Sequence, residues 1–254
     1  MIWLGRRIAE GQIAFMLLSR LPAGKLGPDI PTLAEARWAF PFVGVVIAAI
    51  IAGLYSALSL AGLAPLLSAL LALSAGLFAT GAMHEDGLAD CADGFGGGLD
   101  RQRKLAIMKD SQIGTYGVLA LILVMAARLI SLSSFVPSLT FFGLILSFAV
   151  ISRLVMVFYL SLLPAARENG LGQDAGRLDM KPVLMAVLIS SPALIYGAIM
   201  APLALAMLIL VSLMFARLAK KQIGGQTGDV CGAGQLLSET AAWICLTAIP
   251  LTAL

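Results

Sequence analysis

The residues best equipped for chemistry lie between His84 and Gly98, in the stretch HEDGLADCADGFGGG. Glu85, Asp86, Asp90 and Asp93 put four carboxylates within nine residues of a chain that is 60% hydrophobic and 12% charged. On a helix at 100° per residue, Asp90 falls about 40° from Asp86 and Asp93 about 20° to its other side. Those three acids share a face, while Glu85 turns aside and His84 lies nearly opposite. Like charges so close raise one another's pKa unless a cation sits among them. Mg²⁺ prefers carboxylate oxygens and commonly bridges to substrate phosphates. Asp86, Asp90 and Asp93 are therefore candidate metal ligands. Gly94 and Gly96 to Gly98 are expected to end the helix and leave its backbone open to close approach. The plain alternative is a solvated helix end, but three acids on one face ahead of a glycine run favour a metal–phosphate site.

Other polar segments are candidates to complete such a site. In IMKDSQIGTYG, ending at Gly117, Asp110 or Ser111 can cap the next helix, and the exposed amides beside Lys109 offer an anion site at its N-terminus. Capping alone would also explain Asp110 and Ser111. The loop GGQTGDVCG, Gly224 to Gly232, contains Gly228 and Asp229 and is a candidate second wall. Glu239, in the following apolar run, calls for a partner. PAARENGLG, Pro164 to Gly172, offers Arg167 to a phosphate or to lipid headgroups. Arg128 and Arg153 interrupt apolar runs, where each costs about 2.5–3.5 kcal/mol on insertion scales, so each should face an acid or an interior cavity. Pairing within the bundle and direct substrate contact are equally compatible with that position. His84 is the only histidine and reads as a helix-end polar residue. Three cysteines, Cys91, Cys231 and Cys245, have no metal-ligand spacing and suggest no disulfide framework.

The elements that must hold these residues are apolar helices. Mean hydropathy is +0.97 over 254 residues, and several uncharged runs exceed the roughly 18–20 residues that cross a bilayer. Trp38 to Met83 contains no Asp, Glu, Lys or Arg and breaks only at Ala61–Pro65, which predicts two spans and a tight turn. The second of these is expected to continue as helix through the acids. Ile113 to Ala166 predicts a second hairpin turning at Ser131–Ser138, and Pro182 to Ala216 a third turning near Met200–Pro202. A seventh span is expected from about Leu236 to Leu254. Trp3 to Leu21 mixes apolar residues with Arg6, Arg7, Glu10 and Arg20, as in a helix lying in the interface. The expected fold is all-α: a polytopic membrane bundle of about seven spans plus an N-terminal interfacial helix, one domain over residues 1–254. The formal charge of +3 reflects basic residues at span ends rather than a nucleic-acid partner. Those basic segments fall on one side and the opposite turns are uncharged. The positive-inside rule therefore places the acids at the cytoplasmic face of an inner membrane, in contact with lipid. No cleavable signal peptide is evident.

The chain resembles the cobalamin synthase family. The likeness rests on HEDGLADCADG (His84 to Gly94), IMKDSQIGTYG and GGQTGD ending at Asp229, with FMLLSRLP ending at Pro22, FPFVG from Phe40 and PAARENGLG as further elements in the family's order. Glu85 stands where an apolar residue is commoner in the family, so no role for it follows. The resemblance implies an Mg²⁺-dependent phosphotransferase. A ribose hydroxyl of α-ribazole, or of its 5′-phosphate, would attack the cobinamide-bearing phosphate of adenosylcobinamide-GDP and release GMP, the last step of nucleotide-loop assembly. Asp86, Asp90 and Asp93 would hold the metal, with Asp110 and Asp229 catalytic. Lys109, Ser111, Gly114, Gly117, Arg153, Arg167, Gly228 and Glu239 would bind substrate. Other nucleotide-loop enzymes are expected as partners of a membrane-tethered assembly. Asp86-x₃-Asp90 also resembles the first acid motif of membrane prenyltransferases, but a second such motif is absent. CDP-alcohol phosphotransferases and transporters are the remaining alternatives, and for a carrier the acids lie too close to one face.

Overall fold

Apolar runs bounded by proline and glycine become helices, and the hairpins turn where charge and hydropathy predict. The computed structural model describes residues 2–167 and 179–248. In chain order the helices are α1 (Ile2–Leu18), α2 (Leu33–Ala36) with a 3₁₀ turn (Arg37–Ala39), α3 (Phe40–Leu60), α4 (Pro65–Thr80), α5 (Met83–Gly97), α6 (Arg101–Ile107), α7 (Thr115–Ser133), α8 (Leu139–Leu162), α9 (Met180–Met200), α10 (Pro202–Ile223) and α11 (Gly228–Leu246). Prolines occupy the first turns of α3, α4 and α10, where a missing N–H leaves no helical bond unmade. No strand lies among the described residues; a single parallel bridge joins Ala165 and Gln226. The segment PAARENGLG is described only as far as Arg167.

α8 is the central post. It packs on α3, α9 and α11, and most of its residues are buried, from Phe141 through Arg153 to Leu160. Its Leu144 and Phe148, with Phe40, Leu208 and Trp243 from other helices, are among the largest fully buried side chains. Outward-facing Leu, Ile, Val and Phe cover α4, α7, α9 and α10, among them Phe78 and Leu123. That distribution suits a bundle solvated by hydrocarbon.

Two expectations about the spans change. Among the described residues five helical segments are long and apolar enough to cross a membrane, Leu33–Leu60, α7, α8, α9 and α10, with a sixth if α4 and α5 are counted together. The expected seventh span is α11, which starts at Gly228 rather than Leu236. It carries Asp229, Gln235 and Glu239; Gln235, Ser238, Glu239 and Thr240 are buried, while Asp229 is half-buried. Nor does the helix of α4 continue through the acids. Gly81 and Ala82 both take left-handed backbone conformations, φ 68° and 55°, and the axis turns by 87°. The bend is anchored from α1: the Arg20 amide donates to the Ala79 carbonyl at 2.7 Å, and a Cβ on Gly81 would lie 2.5 Å from the Arg20 side chain. α5 thus runs across the end of the bundle. The N-terminal helix is present, but Glu10 is fully buried, accepting from Trp38 Nε1 and pairing with Arg7 at 2.8 Å.

Candidate active site

α5 presents two faces, and its sequence decides which side chain goes to each. His84 and Leu88 turn into the bundle and are buried, Asp86 is exposed, and Asp90 is half-buried. The helix is pressed against the start of α11, since a Cβ on Gly87 would lie 2.8 Å from the Asp229 carbonyl oxygen. Small residues here bring acids of two helices together. Asp90 feels the charges of Asp229 and Asp86, and Asp229 in turn feels Asp86.

α11 reaches this position through its N-terminal loop. Gly224 ends α10 at φ 83°, and a Cβ on Gly225 would collide with the Pro164 carbonyl at 1.8 Å. The close approach lets the loop zip to the end of α8: the Gln226 amide donates to Pro164 O at 2.8 Å, and the Ala166 amide donates to Gln226 O at 2.9 Å. Arg101 of α6 locks the junction, donating through Nε to Ile223 O at 2.9 Å and through Nη2 to Ala166 O at 3.0 Å. Arg167 follows directly, its Nη1 3.7 Å from Asp229 Oδ2. Thr227 caps α11, accepting from the Val230 amide and donating its hydroxyl to Asp229 Oδ2 at 3.2 Å.

Neither α5 by itself nor α11 is among the five helical segments long and apolar enough to span a membrane. Burial, then the charges of Asp229 and Asp86, push the Asp90 carboxyl up to about 7, with Arg167 opposing. Burial also raises Asp229, against the pull of Arg167 and the Thr227 hydroxyl. A site that holds carboxylates this close calls for a further cation.

Asp93 behaves differently. Its two oxygens accept from the Gly114 and Gly117 amides at 2.7 and 2.8 Å. It is the cap of α7, supplied from another helix, and a Cβ on Gly117 would lie 2.4 Å from it. Asp110 and Ser111 do not cap α7; its N-cap is Gly114, which has no side chain to do so. Asp110 instead accepts from the Gln112 amide at 3.1 Å, in an exposed turn with Lys109 and Ser111. The Gly114 and Gly117 amides, expected to meet phosphate, are occupied by Asp93. The glycine run also has a different use: Gly94 packs on Met108, Gly96 on the Tyr116 ring and Gly98 on Lys104. These glycines let α6 and α7 approach α5, and the helix ends only after Gly97.

Arg153 and Glu239 are not presented to the acid face. They belong to a buried network in which Glu239 Oε1 accepts from Arg128 at 2.9 Å and Oε2 lies 3.4 Å from Arg153. Ser152 and Gln235 donate to the same carboxylate, both at 2.7 Å. The Arg128 guanidinium lies over the Trp243 ring, 4.1 Å from its centroid. Gly228, by contrast, is exposed at the head of α11, where an added Cβ would meet nothing within 4 Å. Sequence reasoning missed Arg101 and Thr227 as positioning groups. The threonine two residues before an acid at a helix start was a readable capping signal; the arginine had none.

A family model described as cobalamin-5-phosphate synthase matches residues 11–247. A relative from Bradyrhizobium diazoefficiens, named adenosylcobinamide-GDP ribazoletransferase, is 42% identical over 91% of this chain and 90% of its own. Relatives from Mesorhizobium japonicum (44%, covering 90% of this chain and 89% of the relative) and Shewanella halifaxensis (36%, covering 92% and 93%) carry the same name. No solved structure matches the chain. With the match spanning the bundle from α1 to α11, the chain belongs to the cobalamin-5-phosphate synthase family.

Proposed function

We propose that this protein is an adenosylcobinamide-GDP ribazoletransferase whose reaction takes place at the junction of α5 and α11. The observation that carries the reading is the meeting of Asp86 and Asp90 from one helix with Asp229 from another, beside Arg167. The reaction joins a ribose hydroxyl of α-ribazole, or of its 5′-phosphate, to the cobinamide-bearing phosphorus of adenosylcobinamide-GDP. The new P–O bond forms as the bond to GMP breaks, and the bonding pair leaves with GMP. In this reading Asp229 orients the hydroxyl and accepts its proton, and Arg167, 3.7 Å from Asp229, meets phosphate oxygens.

Mg²⁺ fits the donor set in a particular way. Among the described residues no group of three acids, histidines or cysteines is arranged to hold a metal by itself. Mg²⁺ is usually held by one or two carboxylates together with substrate phosphates and water rather than by an all-protein cage. Asp86 and Asp90 are the residues that would hold it, and Asp93, with both oxygens on backbone amides, supports them by fixing α7 against α5. When bound, the ion would neutralise charge on the diphosphate and on departing GMP. The basic segments that flank the spans support an inner-membrane location with this site facing the cytoplasm, where other nucleotide-loop enzymes can deliver both substrates.

The test uses purified protein in nanodiscs with adenosylcobinamide-GDP, α-ribazole 5′-phosphate or α-ribazole, and Mg²⁺. GMP and corrinoid products are followed by mass spectrometry, with Asp86→Asn alongside. GMP equal to cobalamin product, lost in the variant, supports the reading. Folded wild-type protein that forms no product with either acceptor overturns it.

A further inference from the structure

Beside the acid face lies a cavity of about 230 Å³ that none of these assignments employs. Leu17 of α1, Leu33 of α2, Met83 of α5, and Met156 and Leu160 of α8 form its main walls, with the fully buried Leu18 and Phe40 at its margin. Two segments with no evident chemistry of their own, Phe15–Pro22 and Phe40–Gly44, thus contribute to one chamber. The charged residues lining it are Asp86 and Asp229. The chamber is therefore hydrocarbon and thioether on most sides and carboxylate along one edge, and that edge is the proposed reaction centre.

Resting on the ribazoletransferase reading, we infer that this cavity receives the aromatic base of the nucleoside acceptor and turns its ribose hydroxyls toward Asp86 and Asp229. The base of α-ribazole, a dimethylbenzimidazole, is a flat bicycle whose outer edge is methyl and ring carbon. It asks for no hydrogen bonds there, and the sulfurs of Met83 and Met156 suit an aromatic face. The sugar hydroxyls are donors, matched to carboxylate acceptors. Other occupants fit less well. Guanine would bring several polar edge groups against Leu and Met walls, where they would lose water without gaining partners. The corrin macrocycle is too large for 230 Å³.

The experiment fills the chamber. Met156→Phe and, separately, Leu160→Phe are prepared in nanodiscs, and initial rates are measured against each substrate with the other saturating. The KM for the α-ribazole acceptor is expected to rise about tenfold or more, the scale at which pockets discriminate methylene-sized changes. The KM for adenosylcobinamide-GDP and kcat should stay within about twofold. An acceptor built on unsubstituted benzimidazole should lose less than the dimethyl one, and Met156→Ala should narrow the difference between the two. A rise confined to the donor KM, or no change in either KM in variants whose melting temperatures match wild type, overturns the inference. So does release of a tightly bound lipid from both filled variants with acceptor kinetics unchanged. If wild type makes no product, the proposed function fails first. Equilibrium binding of α-ribazole alone to wild-type and filled proteins then decides the cavity independently, and it does so too if a filled variant folds poorly and only the other can be used.

Discussion

Two charged clusters of this bundle, around Glu239 and around Asp90, follow opposite rules. Around Glu239, charges of both signs are buried and each finds partners: Arg128, Arg153, Ser152 and Gln235 converge on one carboxylate. Around Asp90, three carboxylates of one sign lie near a half-buried to exposed surface with Arg167 as the neighbouring cation. The first cluster pairs its opposite charges within the protein, although Arg153 Nε and Gln235 Oε1 stay without hydrogen-bond partners, whereas the second is frustrated until something positive arrives. A charge-paired buried network joins α7, α8 and α11, and a cluster of like charges marks where a ligand belongs. The contrast also reassigns residues. By type and membrane depth, Arg153 and Glu239 are plausible substrate contacts; by partners, they hold α11 in place so that Asp229 can face α5.

Breaking the frustrated side should have the largest effect on chemistry. Asp90→Asn is expected to lower turnover roughly 10³-fold, the scale of several kcal/mol of charge stabilisation, with the melting temperature unchanged or raised. Normal turnover in this variant would remove the acid cluster from the mechanism. Breaking the charge-paired side should act on stability instead. Glu239→Ala leaves two buried guanidinium groups without their carboxylate, a loss of about 3–5 kcal/mol. Thermal unfolding in nanodiscs should show it, while the surviving folded protein keeps most of its turnover per molecule. If turnover falls to the Asp90→Asn level with the melting temperature intact, the division between the clusters is wrong.

Asp93 tests the boundary within α5 itself. Replacing it by Asn weakens a charged cap on α7, expected to cost about 1–2 kcal/mol, with a smaller loss of turnover than Asp90→Asn. Equal inactivation at unchanged stability would return Asp93 to the ligands. The smallest expected effect is the pH response of stability. The Asp90 carboxyl is raised from 3.8 to about 7, so the folded state holds this proton more tightly than the unfolded chain. Its contribution favours folding fully below pH 3.8 and is lost as pH rises through about 7. In chelator at pH 8, Asp90→Asn should therefore melt above wild type by a few degrees at most, about 2–4 °C per kcal/mol relieved, and Mg²⁺ should close the gap by stabilising wild type alone. A wild type that melts higher than the variant in chelator would contradict the repulsion.

Sequence by itself determined the bundle, its hairpins and the identity of the acid helix, because hydropathy, proline positions and a 100° helical period act over short stretches of chain. It also brought out Asp86, Asp90 and Asp229 as candidates, since acids in an apolar chain are few and need a reason. What only the tertiary structure decided is how these groups are shared out. Asp93 reaches Gly114 and Gly117 across 21 and 24 residues, and Glu239 gathers arginines from 111 and 86 residues away. No local pattern encodes either choice. The right-angle turn at Gly81 and Ala82 was equally hidden. It comes from two consecutive left-handed residues, one of them an alanine, a conformation that packing against Arg20 sustains and that its own sequence disfavours.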